Sequence, residues 1–100
     1  MRLYLDDIRP TPLGYDTRAY TAEEAIDFLK TGLVTEISFD HDLGPSEAGT
    51  GYDVAAWIEE QCHTTEFKCP DWHIHSANPV GGANIQAAME SAWAVGGNGD

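Results

Sequence analysis

The sequence predicts a small α/β domain on a mostly parallel sheet of about four strands with about three helices, and three observations predict it. Short apolar runs alternate with stretches of helical periodicity, each helix falling between successive strands. Two of those runs end at acidic clusters, Asp6-Asp7 and Asp40-His41-Asp42, and a third ends at His75-Ser76-Ala77-Asn78. No internal repeat or linker breaks the order, so strands joined by right-handed helical crossovers are expected. In such a sheet the carboxyl ends of neighbouring strands open onto one crevice, which would gather four carboxylates around a single point.

The elements follow in order. Residues 2–5 are the first strand, stopped by the acidic pair. Pro10, Pro12 and Gly14 forbid a regular helix after it and predict an extended loop over the sheet edge. A brief strand over 17–20 leads to Thr21-Ala22-Glu23-Glu24, a capping box that starts the first helix. Its apolar stripe is Ala22, Ala25, Ile26 and Leu29, and Gly32 supplies a left-handed stop. Residues 34–39 form the second long strand, and 40–51 a loop rich in Gly, Pro and Ser. The second helix is expected over 52–61 with Val54, Trp57 and Ile58 inward. A last strand over 72–75 precedes a third helix over 83–95, carrying Ile85, Ala88, Met89 and Ala92 on its inner face. One domain over 1–95 and a flexible tail over 96–100 complete the expectation.

Composition narrows the function. One hundred residues with 42% hydrophobic content suit one domain with a real core. Seventeen acidic residues against five basic ones give a net charge of −12, which excludes a broad basic footprint for extended duplex nucleic acid. Small phosphorylated ligands or an RNA end stay in reach, because a bound cation reverses the local field. Cys62 and Cys69, with six residues between them, match no metal or redox spacing and suggest a reduced, cytoplasmic protein. No apolar run is long enough for a leader or a membrane span, so no membrane partner is expected.

The clustered carboxylates point to a hard divalent cation, Mg²⁺ or Mn²⁺, held by Asp6, Asp7, Asp40 and Asp42. The bland alternatives are a solvated turn at Asp6-Asp7 and an Asx-type turn at Asp40 and Asp42 before Gly44. His41-Asp42 spells the dipeptide of metal-dependent phosphohydrolases that carry it on a helix. His75 could carry a proton near neutral pH or serve as a hydrogen-bonded structural histidine. Ser76 and Asn78 are candidate donors to phosphoryl oxygens or caps of the turn, and the amides around Gly81 at the start of the third helix could cradle an anion. Arg9 is the preferred cationic contact.

The chain resembles a receiver domain, a three-layer, flavodoxin-like fold, in reduced form and without the last strand-helix unit. Asp6 and Asp7 resemble its metal-holding pair, Asp40 its phosphoacceptor and Ser76 its hydroxyl residue. The receiver's lysine has no counterpart, Lys30 and Lys68 being the only lysines, and the Pro-rich loop replaces its first helix. A closer likeness is to the cyclic-phosphate processing receiver-like domains of phages and bacteria. It is carried by Leu5-Asp6-Asp7-Ile8-Arg9-Pro10, Ile37-Ser38-Phe39-Asp40-His41-Asp42-Leu43-Gly44, Gly51-Tyr52-Asp53 and Ile74-His75-Ser76-Ala77-Asn78-Pro79-Val80-Gly81. That resemblance implies processing of a cyclic phosphate, such as the 2′,3′-cyclic end left by RNA cleavage or a cyclic nucleotide. A non-catalytic phosphoacceptor or nucleotide-sequestering module, or an acidic interaction domain without a ligand, is the alternative.

Overall fold

The computed structural model describes residues 1–97. Its elements are β1 (Arg2–Leu5), β2 (Thr17–Ala19), α1 (Ala22–Lys30), β3 (Glu36–Phe39), a short 3-10 turn (Ser46–Ala48), α2 (Gly51–Thr64), β4 (Asp71–Ile74) and α3 (Pro79–Gly96). The four strands form one sheet in the order β2-β1-β3-β4, parallel throughout. β1 and β3 lie inside the sheet, which is why they are the most apolar.

Strand alternation divides the side chains between two faces. Leu3, Leu5, Ile37 and Phe39 point to one face, where Ala25 and Leu29 of α1, Val54, Ala55 and Ile58 of α2, and Ile85, Ala88, Met89 and Ala92 of α3 join them in a single core. Both crossovers, β2-α1-β3 and β3-α2-β4, travel the same way across the sheet, so right-handed turns lay their helices on the same side.

On the other face the third layer is a loop. Tyr15 packs edge-on against Tyr4, ring centroids 5.3 Å apart, and the Arg2 guanidinium sits 4.6 Å over the Tyr15 ring. Arg2 also donates to Gly14 O at 2.9 Å and pairs with Glu36 at 2.7 Å, while its backbone amide donates to Asp16 Oδ2. The Pro-rich segment is therefore stitched to the sheet where a first helix would otherwise lie.

Helix starts follow from their caps. Thr21 accepts the Glu24 amide, and the Glu24 carboxylate reaches back to the amide of Tyr20 rather than that of Thr21. Gly32 takes φ +75°, the left-handed stop expected after α1. α2 starts one residue earlier than expected because Thr50 and Asp53 form a reciprocal capping box. α3 starts four residues earlier, at Pro79 rather than Ala83, with Asn78 as N-cap and Pro79 at its first position. Gly96 is the last residue of α3 and Gly97 caps it; the rest of the expected tail, residues 98–100, lies outside the described residues. Among the described residues, no helix is long and apolar enough to cross a membrane.

Both cysteines are free and buried, at the end of α2 and just before β4. Burial pushes the Cys69 thiol up to about 12 and raises Cys62 as well. Neither thiol should react with a disulfide reagent in the native domain at pH 8. Both should react once denaturant unfolds it, and fast native labelling of Cys69 would contradict this packing.

Candidate functional site

The register of the parallel ladder assembles the site. Leu5 pairs with Phe39 and Phe39 with Ile74, so the next residues, Asp6, Asp40 and His75, stand side by side just past three adjacent strand ends. The ladder continues through them: Asp6 N donates to Ala19 O at 3.1 Å, Asp40 N to Leu5 O at 2.9 Å and His75 N to Phe39 O at 2.9 Å. One ligand atom from each of Asp6, Asp40 and His75 falls within 4.8 Å of the others.

Asp6 is the anchor, 1% exposed. Its Oδ1 accepts the amides of Ile8 and Arg9 at 2.8 and 2.9 Å, and its Oδ2 accepts His75 Nε2 at 2.9 Å. Burial alone would raise its pKa, but these hydrogen bonds outweigh burial and hold the carboxyl below its ordinary value. Asp40 is shifted the other way. Burial first and the Asp6 charge second raise it, against the single amide of His41 that its Oδ1 accepts. Two neighbouring carboxyls, one held charged and the other resisting charge, are what a cation between them would relieve.

Asp6, Asp7, Asp40 and Asp42 all line one open crevice of about 410 Å³, together with Ile8, Arg9, Gly44 and Ala77. The two acidic clusters therefore meet, as their positions in the sequence suggested. A Cβ on Gly44 would stand 3.2 Å from Asp7 Oδ2, and Gly44 takes φ +96°, so a glycine lets this loop close on Asp7. Oxygen-rich and partly buried, this donor set has the chemistry that a hard divalent cation takes, and Asp6, Asp7 and Asp40 are the residues that could hold one.

The histidines divide their roles. His75 uses both ring nitrogens: Nε2 donates to Asp6, and Nδ1 lies 2.7 Å from the Oγ of buried Ser38. Its ring stacks on Tyr4 at 4.5 Å and 8°, and its carbonyl accepts Arg9 Nη1 at 2.8 Å. This is a fully engaged positioning residue rather than a free proton carrier. His41 Nδ1 donates to Asp42 Oδ1 at 3.1 Å, which leaves Nε2 as the acceptor nitrogen with no hydrogen bond among the described residues. His41-Asp42 sits in a loop, outside the helical setting of the phosphohydrolase dipeptide.

Ser76, Asn78 and Gly81 build the turn from β4 into α3, from which Ala77 lines the crevice. Ser76 Oγ accepts the Asn78 amide at 3.1 Å, and Asn78 Oδ1 accepts the Gly81 amide at 2.9 Å. The Gly81 amide is thus committed to the cap and not offered to an anion. Gly81 matters instead through its missing side chain, since a Cβ there would collide with the His41 ring. Asn78 Nδ2 donates to Asp42 Oδ2 at 3.4 Å, so it steadies the carboxylate that orients His41. Arg9 spends one of its five donors on His75 O and lines the crevice with the rest.

Arg18, which with Arg9 is one of the two arginines the sequence places near the crevice mouth, reaches the Asp6 backbone, while Ser38 and Tyr4, to which the sequence assigns no role, pack on His75. Arg18 Nη2 donates to Asp6 O at 2.9 Å and its guanidinium lies 5.8 Å from the Tyr4 ring. The available signal was strand alternation, which puts Ser38 and Tyr4 on the same face as Asp40 and Asp6.

The family model of the cyclic-phosphate processing receiver domain matches residues 1–91 of the chain. No curated protein and no solved structure matches it.

The two carboxyls predict opposite responses. Asp40, with its raised pKa, costs the metal-free fold stability above the ordinary carboxylate range, and that cost vanishes on acidification below it. Asp40→Asn should therefore raise the melting temperature in a chelating buffer at pH 7, with the gain shrinking toward pH 4. Asp6, with its lowered pKa, stabilises above the ordinary range and loses that contribution as pH falls through its lowered value. Asp6→Ala strands three donors and should cost about 2 kcal/mol or more at pH 7. Melting curves of both variants against pH check the signs, and a destabilised Asp40→Asn would refute the assigned environment.

Proposed function

Because the chain belongs to the cyclic-phosphate processing receiver family, we propose that its crevice hydrolyses a cyclic phosphodiester with the help of Mg²⁺ or Mn²⁺, the substrate being a 2′,3′-cyclic RNA end or a cyclic nucleotide. The observation that carries this reading is the convergence of Asp6, Asp7 and Asp40 beside Arg9 in one crevice.

A domain of net charge −12 meets an anionic substrate only where that field is reversed. Asp6, Asp7 and Asp40 would hold the cation, which would supply that reversal and draw charge from the phosphoryl oxygens. Arg9 adds the cationic side chain of the crevice, its guanidinium fixed by His75 O and by the loop that Asp6 ties down. Ile8, 82% exposed at the rim, offers an apolar surface to the nucleoside part of a substrate.

His41 is the better proton carrier of the two candidates. Its Nδ1–H is oriented by Asp42, so Nε2 can take the proton of an attacking water. The water oxygen bonds to phosphorus, one P–O ester bond of the ring breaks, and the proton passes to the departing alkoxide. The product is a phosphomonoester. His75 and Ser38 keep Asp6 in place throughout.

In the second reading the domain accepts or sequesters a phosphorylated ligand without turnover. A phosphoacceptor site of the receiver kind is disfavoured because Lys30 ends α1 and Lys68 precedes β4, both at the end of the sheet away from the crevice.

Phosphorus NMR with a 2′,3′-cyclic nucleotide and Mg²⁺ tests the proposal. Conversion of the cyclic signal to a monoester is expected, with at least about a hundredfold loss in Asp40→Asn and in His41→Ala. Chelation should stop turnover in the native protein. Turnover retained by Asp40→Asn would remove it from the site, and a shifted but unconverted signal would favour sequestration.

A further inference from the structure

A larger cavity, about 550 Å³, lies away from the crevice at the free edge of β4. It wraps the strand edge. Trp72, with Trp93 and Glu90 of α3, lines it on the helical face, while Asp71, His73 and Glu36 line it on the loop face. Both indoles are only partly buried against the core.

The backbone of this edge is unspent. Asp71 N and His75 N donate inward to Thr35 O and Phe39 O, so alternation turns the amides and carbonyls of Trp72 and Ile74 outward. Among the described residues, no strand pairs with that side of β4.

Charge selects the occupant. Glu36 is already paired, with Arg2 at 2.7 Å and His73 at 3.3 Å. Asp71 and Glu90 are exposed and have no cationic partner among the described residues, one on each face of the edge. A second copy of this chain would bring its own carboxylates and a charge of −12 against them, which edge pairing penalises.

We propose that the β4 edge docks an extended basic segment of a partner protein, which adds as a fifth strand. Its backbone bonds to Trp72 and Ile74, its lysine or arginine side chains meet Asp71 and Glu90, and an apolar side chain rests between Trp72 and Trp93. This surface is independent of the acidic crevice.

The test uses the whole protein and a synthetic peptide of about nine residues with lysine along one strand face and lysine alternating with valine along the other, the same peptide with glutamate in place of lysine serving as control. The lysine peptide should bind and slow solvent exchange of the Trp72 and Ile74 amides, with shifts in the indole signals of Trp72 and Trp93. The exposed double variant Asp71→Lys with Glu90→Lys should lose at least tenfold in affinity for it and gain binding of the glutamate peptide. Absent binding, undiminished binding to the double variant, or shifts confined to Asp6, Asp7 and Asp40 would overturn the proposal. So would concentration-dependent dimers that protect the same amides, which would assign the edge to a second copy.

Discussion

The parallel register of β1, β3 and β4 is the constraint on which the rest of this domain depends. Two ladders in step deliver Asp6, Asp40 and His75 to one line at the strand ends. A slip of one residue in any strand would turn that strand's site residue to the helical face and push its apolar residues out of the core. Burial of Leu3, Leu5, Ile37 and Phe39 thus guards the register, and the register guards the site. The apolar core pins a constellation that is electrostatically unfavourable in itself.

The fold was largely legible because its signals are local. Period-two apolar runs, the Thr21 cap and the stop at Gly32 identify elements without tertiary information. What escaped was set by contacts between distant residues. Gly81-Gly82 argues against a helix start when read alone, but Gly81 is required where α3 presses on His41, so the helix extends through it. Asp53 falls inside a resemblance motif that gives it no structural role, although its carboxylate closes the start of α2. The convergence of the two acidic clusters was foreseeable from strand order. The division between an engaged His75 and a less occupied His41 was not, since it turns on Ser38 and Tyr4, whose places depend on packing.

The loop over residues 7–16 shows how a layer can be exchanged for a few directed contacts. A helix would cover this face by apolar burial. Here Arg2 stacks on Tyr15 and bonds to Gly14 and Glu36, while Asp6 takes two amides at the start of the loop. The face opposite the core carries Tyr4, Ser38, His75 and Arg18, a polar and aromatic floor instead of an aliphatic one. Phosphate chemistry would be served by such a floor, which can hold charged groups in fixed directions.

Gly51 and Gly81 open α2 and α3, and each is pressed against the acidic loop: a Cβ on the first would strike the Asp40 carbonyl, and on the second the His41 ring. The two longest helices are therefore seated on Asp40, which lines the crevice, and on its neighbour His41. Their other ends converge near Cys62 and Cys69, where the Cys69 amide donates to Gly96 O. Any side chain at either glycine would push a helix off the acidic loop, so the absence of one atom at two positions is what lets both helices lie against it.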